Sequence, residues 1–140
     1  MCSSDLRLFK SMRIKTVVEG GEICASACAV AFLGGHDMAG KRWMASTTTS
    51  QLGFHQFKCI NGVCNEGIAR FCASELITYA EDEMGAPRQI IRAILETPPD
   101  KLTLFDSDEL LSLGVMVWDS SRNCYLPCPR CGQRIQECKR

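Results

Sequence analysis

The stretch that decides the fold is Cys24-Ala25-Ser26-Ala27-Cys28, which leads into the apolar residues 29–33 and the glycine pair 34–35. Small residues, an apolar run and two glycines predict a short buried helix over 26–33. A second stretch, Leu52-Gly53-Phe54-His55-Gln56, predicts a buried strand that carries a histidine. Together they place a serine at a helix start and a histidine on a strand, in outline a nucleophile and its base.

Helices and strands alternate around these two stretches, which predicts an α/β fold. Further helices are predicted over 5–12, 65–84, 87–96 and from a capping box at 106–109 to Gly114. Strands are predicted over 15–18, 41–45, 52–57 and 115–118. A hairpin is predicted at Asn61-Gly62, with Cys59 and Cys64 facing each other.

The composition fits one globular domain with a hydrophobic core. Of 140 residues, 46% are hydrophobic and 23% charged, and 16 basic side chains balance 16 acidic ones. We therefore expect no nucleic-acid partner and no attraction to a charged membrane surface. The longest apolar run, 25–35, is far shorter than the ~20 residues of a membrane span, and no charged-then-apolar leader opens the chain. As written, the sequence predicts a soluble protein without a signal peptide.

Ten cysteines are unusual for a protein without a leader. They cluster as Cys24 with Cys28, Cys59 with Cys64, and a group in the tail. Such pairs form disulfides in an exported protein but are thiols or metal ligands in a reducing compartment. One resolution is that the chain is a fragment of a longer, exported protein. If Cys24 and Cys28 are bridged, the turn that carries Ser26 is rigidified.

The C-terminal segment 120–140 is predicted to be a cysteine-rich tail, separate from a domain over 1–119. It contains a Cys-Pro-Arg-Cys-Gly knuckle of the kind seen in zinc ribbons. The four candidate thiolate ligands are Cys124, Cys128, Cys131 and Cys138. A ribbon normally has a second, regularly spaced knuckle, so disulfides or a tail of free thiols are the alternatives to zinc.

Taken alone, each candidate residue has an ordinary structural explanation. A serine at a helix start is usually an N-cap whose hydroxyl accepts a hydrogen bond from a backbone amide. A single histidine in an apolar strand is more often a core residue than a base. Imidazole nevertheless exchanges protons near neutral pH, and the local contexts of Ser26 and His55 favour a catalytic pair.

The residue pattern over 16–119 resembles the proteolytic subunit of the Clp protease, and in particular its exported-type relatives within the Clp/crotonase group. The Cys-x-Ser-Ala-Cys motif, the later Leu-Gly-Phe-His and the Glu-Leu-Leu-x-Leu-Gly-Val run carry this resemblance. It implies a spiral core of ββα units and a serine peptidase that acts on peptides or proteins without a cofactor. It also implies a homo-oligomer that assembles through the helix 65–84.

The resemblance assigns roles to individual residues. Ser26 is the expected nucleophile, His55 the base and the amide of Ala27 an oxyanion donor. Asp100 is expected to orient the histidine, because the other candidate, Asp106, already caps a helix.

One feature of the family pattern is missing. Clp subunits carry a Ser-Pro-Gly-Gly turn that forms half of the oxyanion hole, and no such turn precedes Ser26. The sequence therefore predicts a Clp-like domain that lacks its first N-terminal strands. The alternative function is an inactive or incomplete Clp-like module that assembles or binds a partner, with zinc as an option in its tail.

Overall fold

The computed structural model describes residues 4–57 and 65–127, which form five α-helices and seven strands. The helices are α1 (Ser4–Met12), α2 (Ala27–Phe32), α3 (Glu66–Thr78), α4 (Arg88–Glu96) and α5 (Ser107–Ser112). The strands are β1 (Thr16–Val18), β2 (Ile23–Ala25), β3 (Met44–Thr47), β4 (Gln51–Phe54), β5 (Thr103–Phe105), β6 (Met116–Asp119) and β7 (Cys124–Leu126). A π-helical turn, Tyr79–Glu83, continues α3.

The larger sheet has the strand order β1-β3-β6-β7. β1, β3 and β6 are parallel, and β7 returns antiparallel to β6. Parallel neighbours need long crossover connections, and the chain supplies them with β2, α2 and the long segment between β3 and β6.

The smaller sheet has the order β2-β4-β5, with β2 parallel and β5 antiparallel to β4. In its register Ala25 pairs with Gly53. A Cβ built on Gly53 would lie 3.0 Å from Leu104 Cδ2 and 3.3 Å from Ala25 Cβ, so a glycine relieves crowding at the centre of this sheet.

A hydrophobic core cluster of the described residues joins the two sheets. Val18 of the larger sheet, Phe54 and Phe105 of the smaller sheet, and Ile90 of α4 belong to the same buried cluster. The rings of Phe54 and Phe105 meet edge to face with centroids 5.9 Å apart. Burying each such side chain stabilises the fold by roughly 1.5–3 kcal/mol, so this cluster is what fixes the sheets against each other.

The predicted α/β architecture is confirmed as a mixed fold with two sheets, while several boundaries differ. The strand predicted over 41–45 begins at Met44, because Asp37 and Lys41 first close a turn. The Asp37 amide donates to the Lys41 carbonyl over 2.8 Å, and the Lys41 amide donates to Asp37 Oδ1 over 2.9 Å. The strand predicted over 52–57 ends at Phe54. The predicted hairpin at 59–64 lies outside the described residues.

The long helix predicted over 65–84 changes its winding near its end. The amide of Met84 donates to the carbonyl of Tyr79, five residues back, over 3.0 Å. This π-turn places the Tyr79 side chain in the core, where it is fully buried. Gly85 then ends the helix with φ 57°, the left-handed conformation that a glycine adopts after a helix end.

Three strands escaped prediction, namely β2, β5 and β7, and the segment 115–118 is consequently not the last strand. Each is three residues long, too short to show a hydrophobic period. No helix in the described ranges is long and apolar enough to cross a membrane.

The capping box at the start of α5 is confirmed. Asp106 Oδ1 accepts from the amide of Glu109 over 2.9 Å, and the amide of Asp106 donates to Glu109 Oε2 over the same distance. We therefore expect Asp106→Ala to lower the free energy of unfolding by about 1 kcal/mol. Asp106→Asn, which keeps the accepting oxygen, should stay within a few tenths of the wild-type value. Urea denaturation followed by circular dichroism measures both, and equal losses in the two variants would contradict the capping role.

Candidate active site

Ser26 occupies a sharp corner between β2 and α2. Its backbone has φ 58° and ψ −125°, a conformation of the type II′ turn that glycine dominates. A side chain held there costs about 1–3 kcal/mol, and such residues cluster at functional sites. The serine nucleophiles of α/β-hydrolases sit on strained strand-to-helix turns of this kind. The strained backbone of this corner is therefore typical of a residue whose side chain is held in position for function.

Two backbone hydrogen bonds hold Ser26 in this conformation. Its amide donates to the carbonyl of Gly53 in the neighbouring strand over 2.9 Å. Its carbonyl accepts from the amide of Val30 over 3.1 Å, which closes the first turn of α2. One bond ties the corner to the sheet and the other ties it to the helix.

The hydroxyl of Ser26 does not cap α2. No side-chain capping hydrogen bond is present at this helix start, and the residue is exposed. The ordinary explanation, a serine N-cap that satisfies a backbone amide, is therefore wrong for Ser26. Its Oγ is left available to another partner.

A disulfide closes the corner. Cys24 in β2 and Cys28 in the first turn of α2 are bridged, with Cα atoms 5.3 Å apart. Ser26 lies at the centre of the five-residue ring that the bridge completes. Cross-linking so short a loop contributes roughly 2 kcal/mol by reducing the freedom of the unfolded chain. This contribution is comparable to the strain at Ser26.

His55 lies at the same edge of the small sheet as Ser26. β2 and β4 are parallel, and Ala25 pairs with Gly53, so Ser26 and His55 follow the carboxyl ends of neighbouring strands. In a regular pair of strands, about 4.8 Å apart with a rise of about 3.3 Å per residue, residues in these two register positions have Cα atoms about 6 Å apart. His55 is half-buried, and no hydrogen bond joins it to Ser26 among the described residues. Catalytic hydrogen bonds are often loose before substrate binds.

The hydrogen bond that His55 does make defines its tautomer. Nδ1 lies 2.6 Å from the carbonyl oxygen of Gln56. Because a carbonyl oxygen only accepts, Nδ1 carries the proton in the neutral ring and Nε2 is a free base. Gln56 is itself anchored, since its amide donates to the Thr97 carbonyl over 2.8 Å and its Nε2 donates to the Leu95 carbonyl over 2.6 Å. Sequence reasoning missed this orienting group, because a backbone carbonyl has no residue signature.

Asp100 lies in the exposed turn before β5. β5 pairs with β4 so that Thr103 faces Phe54, which brings the segment 97–103 alongside His55. Within the described chain, no hydrogen bond or ion pair of the Asp100 carboxylate to His55 is present. The orienting role of Asp100 stays a prediction, whereas the alternative residue Asp106 is occupied in its capping box.

Ala27, the predicted oxyanion donor, is the first residue of α2 and is exposed. The amides of the first helical turn have no carbonyl partner within their own helix. The Ala27 N–H therefore lies next to Ser26 with its hydrogen-bonding capacity unused by α2.

A cleft of about 470 Å³ is present along α4 and the segment that follows it. Residues of α4 and the turn before β5 line it, and the hydrogen bonds of Gln56 to Leu95 and Thr97 attach the same segment to the His55 strand. Its charged lining residues are Arg92, Glu96 and Lys101. Neither Ser26 nor His55 lines this cleft.

The tail gives no support to a zinc site at its first candidate ligand. Cys124 lies in β7 and is disulfide-bonded, so its sulfur is not a thiolate. Cys128, Cys131 and Cys138 lie outside the described residues. Residues 4–57 and 65–127 contain no cluster of side chains able to hold a metal ion.

Among solved structures, the chain is similar to the crystal structure of a peptidase from Plasmodium falciparum, with a TM-score of 0.54 and 16% sequence identity. The match covers 80% of this chain and 61% of the peptidase chain, so the chain spans about three fifths of its length. At this identity the similarity shows a shared fold. No protein-family model matches the chain, and a search of curated proteins finds no significant relative.

The strain at Ser26 has a measurable consequence for stability. We expect Ser26→Gly to be more stable than Ser26→Ala by about 1 kcal/mol, because only glycine adopts this φ and ψ without strain. Ser26→Ala should lie within about 0.5 kcal/mol of wild type, since the hydroxyl makes no capping bond. Urea unfolding of the three proteins measures these differences. A glycine variant less stable than the alanine variant would show that the corner is unstrained.

Proposed function

We propose that the chain is a serine hydrolase of the Clp peptidase type, with Ser26 as nucleophile and His55 as general base. One observation carries the proposal: a strained, exposed serine whose hydroxyl caps nothing stands beside a histidine whose Nε2 is free. A structural serine would relax to an unstrained N-cap.

The proposed reaction divides peptide cleavage into two steps. His55 Nε2 takes the hydroxyl proton of Ser26 as Oγ attacks the peptide carbonyl, and the Ala27 N–H donates to the oxyanion. Nε2–H then donates its proton to the leaving amine, and an acyl group remains on Ser26. Water activated by His55 hydrolyses this ester and restores both residues. These steps need no cofactor.

The hydrogen bond from His55 Nδ1–H to the carbonyl of Gln56 supports a base that is oriented by the backbone. It holds the ring and stabilises the imidazolium that forms during proton transfer. In Ser-His-Asp triads an aspartate performs this task. We therefore assign the orienting role chiefly to Gln56 and treat Asp100 as an outer group.

The fold is consistent with this proposal. Two sheets that share one core, with α2 directly after the small-sheet strand β2, fit the spiral of ββα units of the Clp/crotonase group. The structurally similar protein from Plasmodium falciparum is a peptidase. We infer peptides or proteins as substrates.

We further propose that the chain assembles with copies of itself through α3. Ile68 and Phe71, one turn apart, are 48% and 63% exposed on this helix. Paired apolar side chains on one helix face are typical of a contact surface.

A catalytically inactive module is the second candidate function. The absence of a hydrogen bond between Ser26 and His55 among the described residues favours it, as does the exposed position of Asp100. Such a module would keep the fold and its assembly surface without acyl transfer.

A fluorophosphonate probe separates the two candidates. We expect the purified protein to be labelled at Ser26, located by mass spectrometry, because the probe reacts with activated serines. Ser26→Ala should abolish labelling, and His55→Ala should lower the rate by about 10²–10⁴. Ser11→Ala removes an exposed serine of α1 and should label at the wild-type rate. Absence of labelling in the wild-type protein would favour the inactive module.

Asp100→Asn tests how the base is oriented. With Gln56 in the orienting role, the labelling rate should fall by less than about threefold, since the ring keeps its hydrogen bond. The rate is measured with the same probe over a range of pH. A loss approaching that of His55→Ala would show that Asp100 completes a triad.

A further inference from the structure

We propose that the Cys24–Cys28 disulfide is a redox switch that controls the reactivity of Ser26. The inference rests on the proposed function, because it concerns the regulation of the same nucleophile. It assigns to the bridge the task of holding Ser26 in its strained, exposed conformation.

The Cys24–Cys28 bridge constrains the backbone of Ser26, which lies midway between the two cysteines. Cys24 belongs to β2, where it pairs with Leu52, and Cys28 belongs to the first turn of α2. The bond thus fixes the strand end to the helix start across the corner at Ser26. Besides stabilising the fold, this disulfide encloses the candidate nucleophile in a five-residue ring.

The remaining ties at the corner are few. Apart from the bridge, two backbone hydrogen bonds hold Ser26. Its amide donates to the carbonyl of Gly53, and its carbonyl accepts from the amide of Val30. The later residues of α2 are packed in the core, but its first turn at Ala27 and Cys28 is exposed. When the bridge opens, the strain at Ser26 favours relaxation of the corner, and Ser26 leaves its present conformation.

The two sulfurs differ in their surroundings. Cys28 is exposed, whereas Cys24 is 6% exposed and belongs to the core cluster. A reductant in solution is therefore expected to attack at Cys28. The bridge is open to chemical control from outside while its other end stays fixed in the sheet.

The reduction consumes one dithiol molecule. A thiolate of the dithiol attacks Cys28 Sγ, which forms a mixed disulfide and releases the Cys24 thiolate, and this thiolate takes up a proton. The second thiol of the reductant then attacks the reductant sulfur that is bonded to Cys28 in the mixed disulfide. Cys28 is released as a thiol. Two electrons pass to the protein, and the reductant leaves as a cyclic disulfide.

The experiment compares the oxidised full chain with the same protein treated with dithiothreitol. We expect reduction to slow fluorophosphonate labelling of Ser26 at least about tenfold and reoxidation to restore the rate. Cys72 and Cys124 are also disulfide-bonded, so the Cys24→Ala/Cys28→Ala double variant is the matched control. It should label slowly under both conditions. Equal rates for oxidised and reduced wild type would overturn the proposal, as would a double variant that labels at the oxidised wild-type rate.

Amide hydrogen exchange tests the change of conformation at Ser26 even if the serine does not react with the probe. Exchange at the amides of Ser26 and Val30 should rise at least about fivefold on reduction of the wild type and not change in the double variant. If the oxidised protein is not labelled but this difference appears, the proposed function fails and the switch of conformation stands. Unchanged exchange on reduction would overturn the switch, whatever the labelling result.

Discussion

The hydrogen bonds between the parallel strands β2 and β4 hold Ser26 and His55 at one edge of the small sheet. Because Ala25 pairs with Gly53, the segments that follow β2 and β4 leave the sheet side by side. The amide of Ser26 continues this ladder by donating to Gly53. A slip of one residue in this register would turn every side chain of β2 to the opposite face and separate the pair. The placement of Ser26 and His55 therefore depends first on backbone pairing.

At the corner that follows β2, the strained backbone of Ser26 is held by several surrounding constraints. Ser26 adopts a conformation that favours glycine, and it receives no capping bond in return. The ladder, the first turn of α2 and the Cys24–Cys28 bridge oppose its relaxation. A fold selected only for stability would place a glycine here, or a serine that caps its helix. The combination is understandable if the exposed hydroxyl is used.

The sequence allowed the helix that follows Ser26 and the α5 cap to be predicted, because each depends on local patterns. The Cys-x-Ser-Ala-Cys motif preceded a helix, and the capping box of Asp106 and Glu109 has a direct side-chain signature. The π-turn at Tyr79 could not be predicted, since packing of that ring into the core decides it. Strands of three residues such as β2 exist only through their partners, and the carbonyl of Gln56 orients His55 without any requirement on residue type.

A crystal structure of the oxidised protein tests the central claim most directly, because it measures the backbone of Ser26 and the environment of its hydroxyl. We predict a φ near 58°, an Oγ that faces His55 Nε2, and a His55 Nδ1 bonded to the Gln56 carbonyl. A Ser26 with negative φ whose Oγ accepts from the amide of Cys28 or Ala29 would contradict the claim. The residue would then be an ordinary helix cap.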